Sequence, residues 1–286
     1  MSRYFSKALI LGGNGFVGRA IGRALKESGV DVASFGSADV DLCEPSCVEF
    51  LKQNLGDGVV LVFASAKAPV KNPMMLQDNI KMMTHVFQAV SEVPPEYLLY
   101  VSSDAVFGDE DLPLREETIR APGSLHGVMH LSREIVLESL SNVSVGVLRP
   151  TLVYGAGDPH NGYGPNRFVR LAKSGEDIIL FGKGEERRDH VWIKDVGEIG
   201  ARMVQDKIVG SLNAASGETI SFRAIAEHVV ALVGSKSRII ESERHGPMPH
   251  NGYRPFDVTN LKEKLPGFLP TSFLIGLENS VREWVD

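Results

Sequence analysis

The chain has 286 residues, of which 43% are hydrophobic and 23% charged, close to the averages of soluble globular domains. This composition excludes a disordered or fibrous protein, and the length suffices for one large α/β core with a smaller second lobe. The formal net charge of -6 provides no extended basic surface, so we expect no nucleic acid partner.

Signals for export or membrane insertion are not evident in the sequence. The N-terminal residues lead into a short apolar run without a small-residue cleavage site, and no apolar run approaches the length of a membrane span. The two cysteines, Cys43 and Cys47, are four residues apart, which suits neither a disulfide framework nor a zinc knuckle. We therefore expect a cytoplasmic protein without a membrane partner.

Short runs rich in Val, Ile and Leu alternate with longer amphipathic stretches through the first half of the chain. The predicted strands are 8–11, 31–35, 59–63, 97–101 and 143–148. The predicted helices are 15–28, 45–55, 74–90 and 125–140. This alternation is typical of an α/β fold of the Rossmann type, a doubly wound parallel sheet covered by helices on both faces.

The sequence changes character after Pro150. Residues 155–164 are crowded with Gly, Pro, Asn and His, which indicates a loop and the start of a smaller C-terminal substrate-binding lobe. A strand at 211–214 should return to the main sheet, followed by a helix at 221–233 and two short helical pieces beyond Arg238. We therefore assign residues 1–157 and about 190–216 to a dinucleotide-binding domain, and residues 158–189 and 217–286 to the substrate lobe.

A glycine pattern lies between the first predicted strand and the first predicted helix. The tight turn, the close backbone approach and the helix N–H groups of such a segment suit the pyrophosphate of a dinucleotide. The candidate contacts are Gly12, Asn14, Gly15, Phe16, Val17 and Gly18. The alternative is a glycine-rich turn with no ligand, which the flanking strand and helix make less favoured.

The end of the second predicted strand bears on which dinucleotide is bound. Many Rossmann sites hold the ribose 2′-hydroxyl with an acid about twenty residues after the glycines, but residues 34–37 read Ser-Phe-Gly-Ser. Because no guanidinium is present to pair with a 2′-phosphate, the pattern slightly favours NAD, and NADP stays open.

Ordered motifs along the whole chain resemble the extended short-chain dehydrogenase/reductase family of nucleotide-sugar epimerases, dehydratases and 4-keto-sugar reductases. They lie at residues 12–18, 41–42, 63–66, 101–108, 149–155, 182–191 and 254–257. The resemblance implies a Rossmann domain for NAD, a lobe that closes over a nucleoside-diphosphate sugar, a homodimer built from two helices, and a role in polysaccharide or glycosylated-metabolite biosynthesis. It also implies further cofactor contacts at Asp41, Leu42, Ala64, Ser65, Ala66, His130, Pro150 and Val153.

The catalytic pair of the family is replaced in this sequence. Members use Tyr-x-x-x-Lys on a helix with an upstream Ser or Thr; here Ser103 is upstream, His126 falls on the tyrosine and His130 on the lysine. Because an imidazole titrates near neutrality, His126 can keep the acid/base role, with Ser103 contacting substrate, while His130 can donate to the nicotinamide ribose. Two alternatives stay open: a metal site, and two polar histidines in a cleft that has lost its chemistry.

Asp104 is a further catalytic candidate. Dehydratase members carry an Asp-Glu pair after the Ser or Thr, whereas Ala105 follows Asp104 here, so the pair is incomplete. An Asp followed by a non-acidic residue also resembles 4-keto-deoxysugar reductases, which leaves the reaction class open. The alternative is that Asp104 only caps or pairs locally.

Arg188 and Arg254 are the substrate-binding candidates. A planar guanidinium offers bidentate hydrogen bonds to phosphate oxygens, so both suit a diphosphate. The alternative is that each pairs with a nearby carboxylate such as Glu185 or Asp257. We therefore carry two hypotheses: an enzyme that remodels a nucleotide-linked sugar, and a binding protein of the same fold without turnover.

Overall fold

The computed structural model describes residues 5–109 and 112–284 of the chain, which form two compact units. Of the described residues, the first unit takes those up to Gly108, Glu116–Pro150 and Val196–Ala214. The second unit takes Asp109, 112–115, Thr151–Asp195 and the residues from Ala215 onward.

The strands and helices are as follows. The strands are β1 Lys7–Leu11, β2 Asp31–Phe35, β3 Val59–Phe63, β4 Tyr97–Val101, β5 Val145–Pro150, β6 Leu152–Tyr154, β7 Ile178–Phe181, β8 Arg187–Trp192, β9 Gly210–Ala214, β10 Thr219–Ser221, β11 Ile239–Ser242 and β12 Tyr253–Arg254. The helices are α1 Phe16–Glu27, α2 Cys47–Asn54, α3 Pro73–Glu92, α4 Leu125–Glu138, α5 Pro165–Ser174, α6 Ile193–Gln205, α7 Phe222–Val233, α8 Thr259–Lys264 and α9 Phe273–Glu283. Asp104–Val106 and Pro249–Gly252 form short 3₁₀ turns.

A parallel sheet of order β2-β1-β3-β4-β5-β9 forms the centre of the first unit. Leu11 at the end of β1 pairs with Phe35 and with Phe63, so three strands end at the same edge. The chain passes from β1 to β2 on one side and to β3 on the other, and this reversal is where α/β sheets bind ligands at the carboxyl ends of their strands. The Rossmann prediction is confirmed.

Burial explains why these segments form strands of a covered sheet. The apolar residues of β1 are buried, as are those of β3 after the partly buried Val59, which is expected for strands covered on both faces. The strands and helices predicted for this unit are confirmed, with ends that differ by at most two residues. The returning strand predicted at 211–214 is β9, which pairs with β5.

The second unit contains several short strands that sequence patterns did not predict. β8 pairs with β6, β10 and β12, and β7 pairs with β11. Of the described residues assigned above to the dinucleotide domain, 109, 112–115, 151–157, 190–195, 215 and 216 lie in this unit, where β6 pairs with β8. An aromatic core that includes Tyr154, Phe168 and Phe222 stabilises it. Strands of two to four residues are too short for alternation to show in the sequence.

Within residues 5–109 and 112–284, the structure contains no helix that is both long and apolar enough to span a bilayer.

Candidate active site

The phosphate loop requires glycine at two positions. Gly12 has φ +83°, and a Cβ there would lie 2.8 Å from the backbone N of Ser65. A Cβ on Gly18 would lie 2.3 Å from the Gly12 carbonyl oxygen. The Gly12 contact packs the loop against the backbone that follows β3. The structure therefore brings together two segments predicted to bind the cofactor, the glycine loop at 12–18 and residues 64–66.

The N-terminus of α1 suits an anion. Its N-cap residue is Gly15, which has no side chain to cap the first N–H groups, and the described first turn contains no acidic residue. The partial positive charge of a helix N-terminus therefore faces no competing local carboxylate from that turn. With the glycine contacts, this segment, including Phe16 and Val17, fits the pyrophosphate of NAD.

An acid that the sequence analysis missed lies beside the second strand. The Oδ2 atom of Asp39 accepts a hydrogen bond from the Gly36 N–H at 2.7 Å, and a Cβ on Gly36 would lie 2.4 Å from Asn14 Nδ2. Residues 34–37 contain no acid, but the chain turns after Gly36 and brings the carboxylate of Asp39 back to the Gly36 N–H. The Gly-x-x-Asp spacing of residues 36–39 was the sequence feature that could have indicated this hydrogen bond.

The predicted adenine pair has its side chains engaged elsewhere. Asp41 Oδ1 accepts from the Cys43 N–H at 2.9 Å. The Leu42 side chain is buried in the core, and its carbonyl oxygen accepts from His85 Nδ1 at 2.8 Å. A contact between Leu42 and adenine would therefore come from its backbone.

The other predicted cofactor contacts lie at strand ends. The Ala64 N–H donates to the Leu11 carbonyl at 2.9 Å, which continues the β1–β3 pairing beyond β3. Ala66 is exposed in the same segment. Pro150 ends β5 in the first unit, and Val153 lies in β6 of the second.

Ser103 and Asp104 form a local pair at the end of β4. Ser103 is the N-cap of the 3₁₀ turn, and its Oγ accepts from the Ala105 N–H at 3.2 Å and donates to Asp104 Oδ1 at 3.3 Å. The local pairing that we weighed against a catalytic role is thus present. It also holds a hydroxyl and a buried carboxylate side by side.

Helix α4, which carries His126 and His130, packs against the 3₁₀ turn that follows Ser103. Its N-cap Ser124 accepts from the Gly127 N–H at 3.1 Å, and a Cβ on Gly127 would lie only 2.1 Å from the Ala105 carbonyl oxygen. The first turn of α4 therefore packs directly on the 3₁₀ turn that carries Asp104. His126, the residue before Gly127, lies in that first turn.

Alanine at Gly127 is expected to force α4 away from the 3₁₀ turn. We predict that Gly127→Ala lowers the free energy of unfolding by about 1–3 kcal/mol and impairs turnover. The reason is that the added Cβ clashes with the backbone oxygen of Ala105, which can move only if the backbone itself shifts. Urea unfolding and turnover assays measure both. Gly123→Ala is the matched control, since a Cβ there meets nothing within 4 Å, and should change stability by less than about 0.5 kcal/mol. Equal behaviour of the two variants would contradict the packing argument.

His126 is half-buried, and its Nδ1 has no hydrogen-bond partner among the described residues. Its ring meets the His130 ring edge-on, with 4.7 Å between the centroids. Burial lowers the pKa of His126 below 6.5; Asp104 opposes this shift and Arg133 adds to it. His126 is therefore neutral near pH 7 and can accept a proton.

His130 is 5% exposed, and its Nδ1 lies 2.8 Å from the Tyr100 hydroxyl. Burial, with His126 and Arg133 nearby, places the pKa of His130 well below its usual value. It can therefore act as a hydrogen-bond donor but cannot supply the charge of a lysine. In residues 5–109 and 112–284, no cluster of three His, Cys, Asp or Glu side chains could hold a metal ion.

Arg133 is a second residue that the sequence analysis missed. Its fully buried guanidinium donates from Nη1 to the Ser65 carbonyl at 2.8 Å and from Nε and Nη2 to the Asn79 carbonyl at 3.1 and 2.8 Å. The Arg133 cation thus contacts the segment after β3, at Ser65, that is predicted to bind the cofactor. The sequence feature that could have indicated this role was a basic residue three positions after His130, on the inward face of α4.

Arg188 and Arg254 are brought together in the second unit, where β8 and β12 pair them in register. Arg188 Nη1 lies 3.0 Å from Glu186 Oε1, with both side chains almost buried. Arg254 Nη1 pairs with Asp109 and lies 2.8 Å from His250 Nδ1. Both arginines are therefore ion-paired.

The ion-pair partners differ from the two named in the sequence analysis. Glu185 accepts from the Lys183 N–H at 2.9 Å, and Asp257 pairs with Arg115 Nε at 2.9 Å. Glu185 and Asp257 were wrong as partners for Arg188 and Arg254. In a strand, adjacent side chains point to opposite faces, whereas residues two apart share one, which favours Glu186 over Glu185 for Arg188.

Comparison with known proteins decides the family. The model of the NAD dependent epimerase/dehydratase family matches residues 8–215. The chain belongs to this family. The cofactor of the family is NAD, which the phosphate loop and α1 fit.

Relatives are similar at modest identity. The chain is 25% identical over 229 residues to UDP-N-acetyl-alpha-D-glucosaminuronate decarboxylase of Bacillus cytotoxicus, covering 74% of this chain and 70% of that protein. It is 30% identical over 146 residues to dTDP-4-dehydro-6-deoxy-D-allose reductase of Streptomyces bikiniensis, covering 49% and 43%. The fold is similar to that of Thermus thermophilus UDP-glucose 4-epimerase in complex with NAD, with a TM-score of 0.82, 21% identity and coverage of 96% and 98%.

Proposed function

We propose that this chain is an NAD-dependent enzyme that modifies a nucleoside-diphosphate sugar by transient oxidation, epimerisation or keto reduction, with His126 as the acid/base. The observation that supports the proposal is the packing of Gly127 on Ala105, together with the effect of Asp104 on the pKa of His126. The half-buried His126 ring is neutral near pH 7 because burial lowers its pKa, so it can accept a proton there.

Each group has a defined role in this reaction. Bound NAD would supply the hydride acceptor and, on return, the donor. The neutral His126 accepts the proton of the substrate hydroxyl as it is oxidised, and returns it when the carbonyl is reduced. On substrate binding, the Ser103 hydroxyl would turn its single proton from Asp104 Oδ1 to the same oxygen.

The proposed substrate class follows from the arginine pair and from the relatives. Arg188 and Arg254 are register neighbours, and phosphate oxygens could replace Glu186 and Asp109 as their acceptors. Two relatives are named for UDP- and dTDP-linked sugars. We extend that substrate class, without a choice of base or sugar, to this chain.

A binding and turnover screen tests the proposal. Purified protein is mixed with NAD or NADP, in both redox states, and with a panel of nucleotide sugars and their 4-keto derivatives. Nicotinamide absorbance and product chromatography provide the readouts. Product from any member of the panel supports the enzyme and identifies its reaction, whereas tight binding without product across the panel contradicts it.

Binding without turnover is the second candidate function. It is favoured by the loss of the tyrosine and lysine of the family and by the pairing of both arginines with carboxylates. In that case the dinucleotide or sugar nucleotide would be a sensed or structural ligand. The two candidates differ in the effect of substituting His126, which is considered in the Discussion.

Asp39 is proposed as the residue that favours NAD over NADP. Its carboxylate, held at Gly36 beside the second strand, would repel a 2′-phosphate. We predict that Asp39→Asn shifts the ratio of Kd values for NADP and NAD by about tenfold toward NADP. Asp31→Asn, at the opposite end of β2, is the control of equal charge and should leave the ratio unchanged. An unchanged ratio in Asp39→Asn would remove Asp39 from this role.

We also propose that the protein is cytoplasmic and forms a homodimer through α3 and α4. The two helices present exposed apolar side chains, with Met74 66%, Val128 37% and Ile135 52% exposed. Apolar side chains on a helix face are typical of an interface between copies. Analytical ultracentrifugation of the wild type and of Ile135→Glu tests this arrangement.

A further inference from the structure

We propose that Arg133 and Tyr100 act through His130 in place of the missing lysine: they fix His130 as a neutral imidazole that carries its proton on Nε2, the donor it can offer to a cofactor hydroxyl. Arg133 and Tyr100 are positioning residues in this scheme. The inference rests on the proposed role of His130 toward NAD, and it identifies which protons in the cluster are fixed and why.

The first step concerns the partner of the Tyr100 hydroxyl. The N–H groups of Arg133 donate to the Ser65 carbonyl, to the oxygens of Asn79 and to the Met82 sulfur. The hydrogen-bond partner that the structure gives the Tyr100 hydroxyl is His130 Nδ1. This nitrogen is therefore the acceptor available to the single hydroxyl proton of Tyr100.

The second step assigns that proton. Tyr100 is fully buried, and its oxygen lies 2.8 Å from His130 Nδ1. If Nδ1 carried a proton, it would donate to the Tyr100 oxygen, and this contact would give the buried hydroxyl proton no acceptor, at a cost in stability. The arrangement that satisfies both groups has Tyr100 donating to an unprotonated Nδ1. A neutral His130 must then carry its proton on Nε2.

The third step concerns charge. The Arg133 guanidinium is held by the Ser65 carbonyl and by the carbonyl and side-chain oxygens of Asn79, so the cation is fixed. Its guanidinium carbon lies 4.9 Å from the centre of the Phe63 ring, whose face favours a cation. The charge of Arg133 acts on His130 and disfavours an imidazolium there. The positive charge of this cluster is therefore carried by Arg133 and not by His130.

The arrangement divides the hydrogen-bond donor and the positive charge between two residues. The neutral Nε2–H of His130 serves as the hydrogen-bond donor, and Arg133 supplies the charge. His126, whose ring meets that of His130 edge-on, is left free to take up a proton. Tyr100, on β4, and Arg133, on α4, thus influence the proposed reaction, although neither occupies a position of the Tyr-x-x-x-Lys motif.

Imidazole ¹⁵N spectroscopy of the wild-type protein without ligands tests the assignment directly. Long-range ¹H–¹⁵N correlation spectra distinguish a protonated from an unprotonated ring nitrogen, and comparison with His130→Gln assigns the signals. We expect His130 at pH 7 to be neutral, with the proton on Nε2. A proton on Nδ1, or a charged His130, would overturn the proposal.

Tyr100→Phe extends the test to function, and Tyr97→Phe is its matched control. Tyr97 lies on the same strand, is equally buried, and donates to the Ile208 carbonyl at 2.6 Å, remote from the histidines. Tyr100→Phe should mix the His130 tautomers and weaken NAD binding by about fivefold, the loss that one ordinary hydrogen bond produces. Tyr97→Phe should leave both readouts unchanged. If Tyr100→Phe also leaves both unchanged, the inference is wrong.

These readouts need no substrate, so the inference and the proposed function can fail separately. Absence of product in the screen would contradict the enzyme and leave the tautomer result standing. A proton on Nδ1 of His130 would contradict the proposed roles of Arg133 and Tyr100, even if the screen detected product. If Tyr100→Phe does not fold, the wild-type spectrum alone decides.

Discussion

His126→Ala is expected to lower kcat by roughly 10²- to 10⁴-fold while the Kd for NAD stays close to that of the wild type. In the proposed reaction, the half-buried imidazole of His126 accepts the substrate proton near pH 7. Removing it takes away the proton acceptor but leaves the phosphate loop and α1 intact. Turnover assays and isothermal titration with NAD measure the two quantities.

The control for this substitution is His228→Ala, which removes an exposed histidine on α7 and should retain wild-type turnover. A kcat of His126→Ala close to that of the wild type would exclude His126 as the acid/base. A loss of NAD binding together with turnover would instead assign His126 to cofactor binding. A protein that only senses its ligand would show binding without turnover in both forms.

Glu134→Ala is expected to lower the free energy of unfolding by about 3–5 kcal/mol, because it leaves buried cations without their counter-charge. Glu134 is fully buried on α4 and accepts from Ser102 Oγ at 2.5 Å, from Arg149 Nε and Nη2 at 3.0 and 2.8 Å, and from Arg120 Nη1 at 3.1 Å. Urea unfolding followed by circular dichroism measures the change.

Glu138→Ala, one turn later on the same helix, is the matched control. Its side chain is 51% exposed and pairs with the same Arg120, so the substitution should cost no more than about 1 kcal/mol. A similar loss in both variants would show that burial does not set the size of the effect.

The pH dependence of stability gives an independent check on Glu134. Burial raises its pKa, but the hydrogen bonds and charge of Arg149, with Ser102 and Arg120, outweigh this and hold the pKa below 4.5. The stabilisation is therefore complete above pH 4.5 and is lost as the pH falls through the folded-state pKa. Glu134→Ala should weaken this acid sensitivity.

The first unit could be predicted because its strands are continuous apolar runs. β1 and β3 are covered on both faces, so nearly every residue must be apolar and the pattern is clear in the sequence. In the second unit, β12 has two residues and β10 has three, and their positions depend on pairing with β8. Helix α5 begins at Pro165, directly after the loop at 155–164. Its start was not predicted because its first residues continue the Gly-, Pro- and Asn-rich composition of that loop.

The motif positions of the site were predictable, but their partners were not. Gly12 follows from the glycine spacing, and Ser103 and His126 follow from the resemblance to the family. Asp39 reaches the second strand only because the chain turns back on Gly36, and Arg133 reaches Ser65 only because α3, α4 and β3 pack together. Sequence spacing does not reveal contacts of this kind, since they depend on tertiary packing.

The pH dependence of kcat/KM in the oxidation direction, with the nucleotide sugar that the screen identifies, tests the central claim most directly. The pKa of His126, set by burial and by the charges of Asp104 and Arg133, lies below 6.5. The account predicts a profile that is flat near neutral pH and falls on the acid side with an apparent pKa below 6.5, because protonated His126 cannot accept the substrate proton. A profile governed by an ionisation well above 7, or one without an acid limb, would contradict an imidazole as the acid/base.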